Sequence, residues 1–406
     1  METLNFRILN TRSHGRSAFM DVLTNGENLQ CYINSQIENF QEIVSLPNGS
    51  HLGCSGEYFT TRTGHYTFRI LEANILHTPD IPLPVVQDNG EELFNVTTNR
   101  EDIRRRRYLQ TILNPEERQT FRTRSQLISL IRNFFVQNDY LEVETPVLQP
   151  IYGGAEATPF VTHFEALDMD CYLRIAPELY LRRMIIGGYD RVFEIGRNFR
   201  NEGISTRHNP EFTFIEAYAA YNDYNFSMDM IQNLMIEIHS QFGVVQYGEH
   251  QIDFSDVSRI SYMDAIRTYY DGDIDGLSDT ELNQIFEDHV ESNFINPTMV
   301  YDYPASISPL SQVRSDNVNV AERFELFIAG MEIANAYSEL NDVDRHIRNM
   351  GDTDRDFIEA LRYGMPPTTG LGIGIDRLVM ILTNRVIRDV IYFPTMRLHQ
   401  IDLVNA

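Results

Sequence analysis

Two neighbouring segments, 191–203 and 207–218, combine arginine, glutamate and histidine side chains with apolar residues at every second position. That alternation predicts two antiparallel strands, with a charged loop at their tip. Several cations gathered at one tip could neutralise an anionic ligand, so this strand pair is the first candidate for chemistry.

A second segment that could carry chemistry is glycine-rich. Residues 370–380 predict a strand that enters a helix, with Arg377 at the junction. A dinucleotide-binding loop is excluded, because the ordered β-α-β unit with a downstream acidic residue is missing. A third segment, 140–150, predicts a helix that runs into a strand and ends at proline, and it is weakly specific alone. The combination and order of the three segments are therefore more informative than any one of them.

The elements that must position these segments fall into two parts. Up to Pro84, short alternating runs are separated by Gly, Asn and Ser turns, and five short strands predict an OB-fold barrel. Beyond an irregular stretch, Thr120–Gln137 has a helical apolar period, and Leu141–Pro146 predicts a strand stopped by proline. Helices and strands then alternate to the end. We predict an α+β protein with an OB-fold barrel over 1–90, a linker over 91–107 and a larger domain over 108–406.

Length and composition exclude several classes of protein. A chain of 406 residues predicts two or three domains, and no apolar run approaches the ~18 to 20 residues of a membrane-spanning helix. No secretory signal is visible, so we expect a soluble, cytoplasmic protein with no membrane contact. The three cysteines are widely spaced and lack metal-ligand patterns, which predicts buried thiols.

The charge balance restricts the partners. The formal net charge of -25 argues against indiscriminate binding of polyanions, so any nucleic-acid site must be a local basic patch. All 33 basic residues are arginine, and lysine and tryptophan are absent. A halophile or a GC-rich genome could favour arginine, but both should also remove Ile and Asn, which stay frequent. We favour an engineered or recoded sequence from which lysine was excluded.

Two features keep alternative interpretations. The run of Arg104 to Arg107 is either a solvated charge run or a phosphate contact beside the barrel. The apolar stripe of the Thr120–Gln137 helix is either core or dimer interface on one interpretation, which we favour, or part of a ligand-binding site on the other.

The three segments together resemble the class II aminoacyl-tRNA synthetases of subclass b, and specifically their lysyl members. Further strings carry this resemblance: Arg174-Ile-Ala-Pro-Glu-Leu-Tyr180, Phe199-Arg-Asn-Glu-Gly-Ile-Ser205 and Tyr337-Ser-Glu-Leu-Asn-Asp342. It implies an anticodon-binding OB domain joined to a catalytic domain whose antiparallel sheet is flanked by helices, in a homodimer formed through the first motif.

The resemblance implies a reaction and its ligands. The enzyme would activate L-lysine with ATP to lysyl-adenylate, transfer lysine to the 3′ end of tRNA(Lys), and release pyrophosphate and AMP. Arg200 would bridge the α-phosphate and the substrate carboxylate, and Arg377 would stack on adenine opposite Phe212. The other implied ATP contacts are Glu202, His208, Asn209 and Glu325. Glu325 and Glu332 would hold Mg²⁺, either on one helical face or in loop and strand.

The implied lysine contacts need anions at both ends, because an unpaired buried charge costs several kcal/mol. Glu178, Glu216 and the backbone near Gly154 resemble the α-ammonium side. Glu339 and Tyr218 resemble the clamp on the ε-ammonium, with Asn335 and Tyr337 as lining and Arg200 on the carboxylate. In the barrel, the implied anticodon contacts are Phe19, Gln30, Glu72, Arg7 and Arg12.

Two alternatives to a tRNA ligase remain. One is a lysyl-adenylate former that passes lysine to another acceptor, although such paralogues generally lack the barrel. The other is a catalytically silent tRNA-binding protein, against which the intact set of Arg200, Glu325, Glu332 and Arg377 argues. A balance of five Arg against eleven Asp and Glu over residues 1–97 makes amino-acid activation the safer part of the prediction.

Overall fold

Alternating buried and exposed residues form a five-stranded barrel at the start of the chain. The computed structural model describes residues 1–84, 87–88, 93–94, 99–351 and 354–397. The chain divides into two compact units, Met1–Phe121 and Arg122–Ala406. The barrel elements are β1 (Glu2–His14), β2 (Ser17–Thr24), β3 (Glu27–Asn34), α1 (Phe40–Val44), β4 (His51–Thr60) and β5 (Tyr66–His77).

The barrel closes in the order β1-β2-β3-β5-β4, with β1 paired to β4, so that no strand edge is left open. Its interior is filled by inward-facing apolar residues that include Ile8, Met20 and Phe68. Cys31 and Cys54 lie in this core, and with Cys171 of the second unit they are buried free thiols. The predicted barrel and the predicted thiols are both confirmed.

Helices follow the barrel where the sequence suggested an irregular stretch. The next elements are β6 (Gln87–Asp88), β7 (Leu93–Phe94), α2 (Arg100–Arg105), α3 (Arg107–Leu113) and α4 (Pro115–Gln137), within which the two units divide. Helix α2 forms because the Asn99 side chain accepts a hydrogen bond from the backbone N–H of Glu101, which caps the first turn. Residues 91–92 and 95–98 of the predicted linker lie outside the described residues.

The second unit is built around an eight-stranded sheet. The strands of this unit, which form the large sheet and smaller ones, are β8 (Leu141–Glu142), β9 (Leu148–Gln149), β10 (Val161–Phe164), β11 (Met169–Leu173), β12 (Arg191–Phe199), β13 (Glu211–Ala220), β14 (Val245–Tyr247), β15 (His250–Ile252), β16 (Ser258–Ser261), β17 (Thr298–Tyr301), β18 (Arg323–Ile328), β19 (Met331–Ser338) and β20 (Thr368–Gly374). Its helices are α5 (Glu178–Ile186), α6 (Tyr224–Phe242), α7 (Tyr262–Tyr269), α8 (Asp279–Ile285), α9 (Val343–Met350), α10 (Arg355–Arg362), α11 (Ile375–Thr383) and α12 (Ile387–Val390), with a π-helical turn at Phe286–Val290 and 3₁₀ turns at Glu165–Leu167, Glu291–Asn293 and Ala305–Ile307.

The large sheet has the order β16-β17-β18-β19-β20-β13-β12-β8 and is antiparallel except at its two ends. The predicted strand pair is β12 and β13, which pair antiparallel from Arg191 opposite Ala219 to Phe199 opposite Glu211. The predicted glycine strand is β20, and it enters α11 as expected. The α+β fold with an antiparallel sheet and flanking helices is therefore confirmed.

The strand predicted over Leu141–Pro146 is shorter than expected. Only Leu141 and Glu142 pair with β12 in this register, because the backbone N–H of Thr145 donates instead to Glu194 Oε2, at 3.1 Å. No helix in the part of the chain that the structure describes is long and apolar enough to cross a membrane.

The central strands have one apolar face and one polar face. Ile215 and Ala217 of β13, and Leu371 and Ile373 of β20, belong to the hydrophobic core that includes residues of α6 and α11. Because side chains alternate along a strand, the residues between them point to the opposite face. That opposite face forms the floor of a large cavity in this unit.

Candidate active site

One cavity of about 750 Å³ in the second unit gathers the predicted ligand-binding residues. It is lined by Gly154, Glu178, Arg200, Glu202, His208, Asn209, Phe212, Glu216, Tyr218, Glu332, Asn335, Tyr337, Glu339 and Arg377. Glu325 is the exception among the predicted residues of this unit. It lines a second cavity of about 370 Å³, which shares His208, Glu332 and Arg377 with the first.

Glycines clear the floor of the large cavity. Gly370, Gly372 and Gly374 occupy the cavity face of β20. A Cβ on Gly370 would lie 2.0 Å from Glu339 Oε1, and one on Gly372 would lie 2.6 Å from Phe214 Cε1. The glycine pattern therefore makes room for a carboxylate and a ring, and it is not a phosphate-binding loop.

One end of the cavity holds three buried carboxylates. Glu178, Glu216 and Glu339 are 3%, 7% and 1% exposed, so each has lost most of its hydration. The hydroxyl of Tyr337 donates to Glu178 Oε2 at 3.0 Å, and that of Tyr218 donates to Glu216 Oε2 at 3.1 Å. The resemblance places Tyr218 in the ε-ammonium clamp with Glu339, and this stays a prediction. The Tyr218 ring and Glu339 both flank Gly370, although the Tyr218 hydroxyl donates to Glu216.

Burial sets the protonation of these carboxylates. It raises the pKa of Glu216 to about 8, and the nearby charge of Glu178 adds to this effect. Burial also raises the pKa of Glu339 well above its usual range, although Arg182 opposes the shift. Neither oxygen of Glu339 receives a hydrogen bond, and the same holds for the buried Oδ1 of Asn335. Buried acceptors without donors indicate a ligand rich in N–H groups.

Arg182 is a fully buried cation at this end that sequence analysis missed. Its Nη1 lies 3.0 Å from Glu178 Oε1 and 3.2 Å from Glu339 Oε2, and its Nη2 donates to the carbonyl of Leu340 at 2.6 Å. Its spacing of four residues from Glu178 is the only signal in the sequence, and the same spacing is common on solvated helices.

The opposite end of the cavity is cationic. The guanidinium of Arg200 lies 5.2 Å from the centre of the Phe212 ring, and its buried Nε has no hydrogen-bond partner. Asn209 donates from Nδ2 to the carbonyl of Glu211, and its buried Oδ1 is also unpartnered. Orphaned donors and acceptors beside an aromatic ring suit a ligand that combines a planar base with anionic groups.

Arg377 is held at this end by its neighbours. It donates to the backbone carbonyl of Glu332, lies 3.4 Å from Glu332 Oε2, and reaches His208 Nε2 at 3.2 Å. Burial and the charge of Arg377 lower the pKa of His208, whose Nδ1 lies 2.9 Å from Ser205 Oγ. Stacking of Arg377 on a base opposite Phe212 stays a prediction.

A buried network fixes the start of α11, and sequence analysis missed it. Arg124 pairs with Asp376 Oδ1 and donates to Thr213 Oγ1 at 2.7 Å. The backbone N–H of Thr213 donates to Asp376 Oδ2 at 2.7 Å. Asp376 is thereby locked to β13, which places Arg377 over the cavity.

Glu325 and Glu332 lie on strands, which decides between the two placements that sequence analysis left open. They stand on β18 and β19, joined by a tight turn in which Ala329 and Gly330 have φ of 53° and 63°. Glu325 pairs with Arg323 and accepts a hydrogen bond from the Tyr303 hydroxyl at 2.9 Å.

Glu291 is a further carboxylate on the second cavity. Burial and the charge of Glu325 raise its pKa to about 7. Within the described residues, no three His, Cys, Asp or Glu side chains are placed to hold a metal ion by themselves.

The barrel residues predicted to bind RNA have individual partners. Phe19 on β2 lies 5.2 Å, ring centre to ring centre, from Tyr32 on β3, and Tyr32 lies 6.0 Å from Phe59. Gln30 lies on the strand adjacent to that of Phe19, as expected, and its Oε1 accepts from the Thr67 hydroxyl at 2.9 Å. The outer face of β2, β3 and β4 therefore carries a row of aromatic rings.

The charged barrel residues that were predicted to bind RNA are held by side-chain partners within the barrel. Arg12 forms a two-pronged ion pair with Asp21, and Arg7 donates from Nε to His51 Nε2 at 3.0 Å. Glu72 accepts a hydrogen bond from Ser55 Oγ at 3.0 Å. No contact joins Arg7 or Glu72 to Phe19 among those the structure describes.

Of the two interpretations of the run from Arg104 to Arg107, a solvated charge run and a phosphate contact, neither holds for all of its residues. Arg107 is 1% exposed, forms an ion pair of 2.9 Å with Glu117 and lies over the Phe121 ring. Arg105 Nη2 lies 3.3 Å from Glu101 Oε1, which is one turn earlier in α2. Arg107 is therefore a core residue of its unit, and neither a solvated charge nor a surface phosphate contact.

Residues 99–397 match the family described as tRNA synthetases class II (D, K and N). The lysine–tRNA ligases of Clostridium tetani and Dichelobacter nodosus are each 42% identical to this chain, over 97% and 96% of it and 87% and 86% of their own lengths. The lysine–tRNA ligase of Methanoculleus marisnigri is 42% identical over 96% of the chain and 84% of its own.

Proposed function

The chain belongs to the class II tRNA synthetases (D, K and N), and from this premise we propose that it activates L-lysine with ATP and transfers it to the 3′ end of tRNA(Lys). It is an ATP-dependent aminoacyl-tRNA ligase. The observation that carries the choice of lysine is the set of three buried carboxylates, Glu178, Glu216 and Glu339, at one end of the cavity.

Those carboxylates match a substrate with two ammonium groups. Glu178 and Glu216 would take the α-ammonium beside Gly154, where a Cβ would meet Glu178 Cβ at 2.8 Å. Glu339 would take the ε-ammonium, because its two oxygens have no donor of their own. A neutral side chain would leave these buried carboxylates with too little positive charge, because Glu178 and Glu339 share the single charge of Arg182, and such a deficit costs several kcal/mol. The pocket therefore selects by charge at both ends of the substrate.

The first chemical step needs positioning and charge stabilisation more than proton transfer. The lysine carboxylate oxygen forms a bond to the α-phosphorus of ATP, and the bond from that phosphorus to the bridging oxygen of pyrophosphate breaks. Arg200 would bridge the carboxylate and the α-phosphate, where a planar guanidinium can contact both. Its unpartnered Nε is consistent with that role.

The remaining cavity residues would bind the nucleotide. Phe212 and Arg377 would enclose adenine, Glu202 and Asn209 would contact the nucleoside, and His208 would contact the triphosphate. In the second step, a ribose hydroxyl of tRNA attacks the acyl carbon, and AMP leaves.

Magnesium fits the carboxylates beside this end of the cavity. Mg²⁺ prefers oxygen ligands and is commonly held by one or two carboxylates together with substrate phosphates. Glu325 and Glu332, on neighbouring strands of one hairpin, provide two such carboxylates beside Arg377. When bound there with ATP, the ion would neutralise charge on the phosphates.

The barrel would read the anticodon. Phe19 would stack on an unpaired base, Gln30 would read a base edge, and Glu72, Arg7 and Arg12 would make further contacts. The aromatic row from Phe19 to Phe59 supports this proposal, since stacking on an aromatic side chain contributes ~1 to 3 kcal/mol per base.

A homodimer would form through the region that follows α4. Several large apolar side chains in this region are exposed, among them Leu141, Leu148, Val161 and Leu167. The last two are 60% and 63% exposed. A row of this kind indicates an interface. Sedimentation should show a dimer at low micromolar concentration, and a fully active monomer would contradict this part of the proposal.

A lysine-dependent pyrophosphate exchange assay, run with and without tRNA, tests the function. Exchange with lysine and transfer to tRNA(Lys) are both expected. Exchange without transfer would favour a lysyl-adenylate former that uses another acceptor, and tRNA binding without exchange would favour a silent tRNA-binding protein.

A further inference from the structure

Arg182 is a cation at the carboxylate end of the cavity that has no part in the chemistry above. It is fully buried and is not among the residues that line the cavity. It lies behind Glu178 and Glu339, and its Nη1 is within 3.0 Å and 3.2 Å of their carboxylates. Arg182 therefore acts on a substrate only through those two side chains.

The three carboxylates and Arg182 together give the amino-acid pocket a defined net charge. Glu178, Glu216 and Glu339 carry three negative charges when ionised, and Arg182 reduces the total to two. Two is also the number of ammonium groups on a diamino acid, whose carboxylate would be neutralised by Arg200. An uncompensated buried charge costs several kcal/mol, so a difference of one charge is decisive for binding.

Arg182 is anchored independently of the carboxylates. Its Nη2 donates to the carbonyl of Leu340 at 2.6 Å, and its guanidinium lies 4.9 Å from the centre of the Phe357 ring. These contacts come from segments distant in sequence, so the position of the cation is fixed by the fold. Glu178 and Glu339 are consequently held in one orientation before substrate arrives.

We propose that Arg182 is a positioning residue that sets the net charge of the amino-acid pocket to the value neutralised by two ammonium groups, and that it orients Glu178 and Glu339 toward them. The proposal rests on the proposed function, whose substrate class it explains. Without this cation, two carboxylates would face each other in a dry site, where like charges that close are not both ionised. One of them would take up a proton, so an ammonium group would meet a neutral carboxyl unless lysine binding released that proton and left one negative charge uncompensated.

Other titratable groups surround this cluster. Facing it are Glu216 and Tyr218 from β13, Tyr337 from β19, His346 from α9 and Asp354 at the start of α10. Burial, with a smaller effect from the charge of Arg182, lowers the pKa of His346 to about 4. Burial still lowers this pKa when Arg182 is replaced, so the imidazole stays neutral in the range of the experiment. Proton uptake in the absence of Arg182 therefore falls on the carboxylates.

The test compares Arg182→Met with Arg182→Lys, which keeps the charge, and with Arg183→Met as a matched control. Arg183 is the next residue on the same helix, and it pairs with Asp354 instead of the pocket carboxylates. Lysine binding is followed by calorimetry in two buffers of different ionisation enthalpy, and KM values come from pyrophosphate exchange between pH 6.5 and 8.5.

Arg182→Met should raise the KM for lysine roughly 30-fold or more at pH 7 and change that for ATP less than about threefold, because only one subsite loses its charge balance. It should also release about one more proton per lysine bound than the wild type. Arg182→Lys should restore most of the affinity, and Arg183→Met should match the wild type in both measurements.

A double variant keeps the proposal falsifiable if Arg182→Met folds poorly. In Glu339→Gln, the pocket already lacks one negative charge, so adding Arg182→Met should cost much less than it does in the wild-type background. Additive effects, an unchanged proton count, or equal losses for lysine and ATP would overturn the proposal while wild-type activity supports the function. If the wild type activates a different amino acid, the proposed function fails first, and this proposal fails with it.

Discussion

The carboxylate end of the cavity and the outer face of the barrel use charge in opposite ways. Glu178 and Glu339 are almost fully buried and share one buried guanidinium, whereas Arg12 and Asp21 pair in the open with 45% and 38% of their side chains exposed. Buried charges must be matched by a ligand or a partner, while exposed pairs contribute only ~0 to 1 kcal/mol. We therefore expect amino-acid selection to be set by fixed charges, and RNA recognition to depend more on aromatic stacking.

The largest expected effect is at Glu339. Glu339→Gln should weaken use of lysine by ~2 to 4 kcal/mol in transition-state terms, because it removes the charge proposed to neutralise the ε-ammonium. The measurement is the KM for lysine against that for ATP in pyrophosphate exchange. Equal effects on both substrates would contradict the assignment of Glu339.

Gly370→Ala should disrupt the carboxylate end of the cavity sterically. Its new methyl group would meet Glu339 Oε1 at 2.0 Å and the Tyr218 ring at 2.7 Å, so the carboxylate must move. Overpacking of this kind costs ~1 to 3 kcal/mol, which corresponds to an increase in the lysine KM of about tenfold or more. A wild-type KM in a folded Gly370→Ala variant would show that the carboxylate position is not critical.

Phe19→Ala should affect the barrel alone. The loss of stacking should reduce the efficiency of tRNA charging by ~1 to 3 kcal/mol and leave lysine-dependent exchange unchanged. Charging and exchange assays on the same preparation make the comparison. If both activities fell together, the separation between the two regions would be wrong.

The pH dependence of lysine binding tests the buried carboxylates. Since the pKa of Glu216 is raised to about 8 without substrate, the carboxyl is mostly protonated at pH 7 and must ionise to pair with an ammonium. Affinity for lysine should therefore rise with pH up to about 8, by at most about tenfold per pH unit. Calorimetric titration would reveal this slope, and Glu216→Gln should abolish it.

Salt should separate the two activities by a smaller factor. Against a net charge of -25, the arginines proposed to contact RNA are few, and added salt should weaken their contacts with phosphate. Charging should fall several-fold between about 50 and 200 mM salt, while exchange should hardly change because its small ligands enter a fixed pocket. Parallel loss of both activities would argue against local arginine contacts with tRNA.

Much of the fold follows from local patterns. The alternation on β12 and β13 and the glycine strand before α11 predicted these elements, since each depends on residues close in sequence. The predicted catalytic residues came from motif resemblance, and the structure places them around one cavity.

Other features depend on contacts that no local pattern contains. Arg182 is 157 positions from Glu339, and Arg124 is 252 from Asp376, so sequence alone gives no reason to pair them. The spacing of seven between Glu325 and Glu332 fits either one face of a helix or a loop and strand. Only the turn at Ala329 and Gly330 distinguishes the two. Helix α2 was missed because its start depends on a single Asn99 cap in a run that otherwise resembles a linker.

The guanidinium of Arg182 has a chemical consequence beyond charge. An aminoacyl-adenylate is an acylating agent, and a neutral primary amine beside it would compete with the tRNA hydroxyl for the acyl group. Arginine stays protonated and is a poor nucleophile, whereas a buried lysine that has no carboxylate partner readily loses its proton. Because no side chain in this sequence carries a primary amine, the enzyme offers its own activated product no amine side chain to modify.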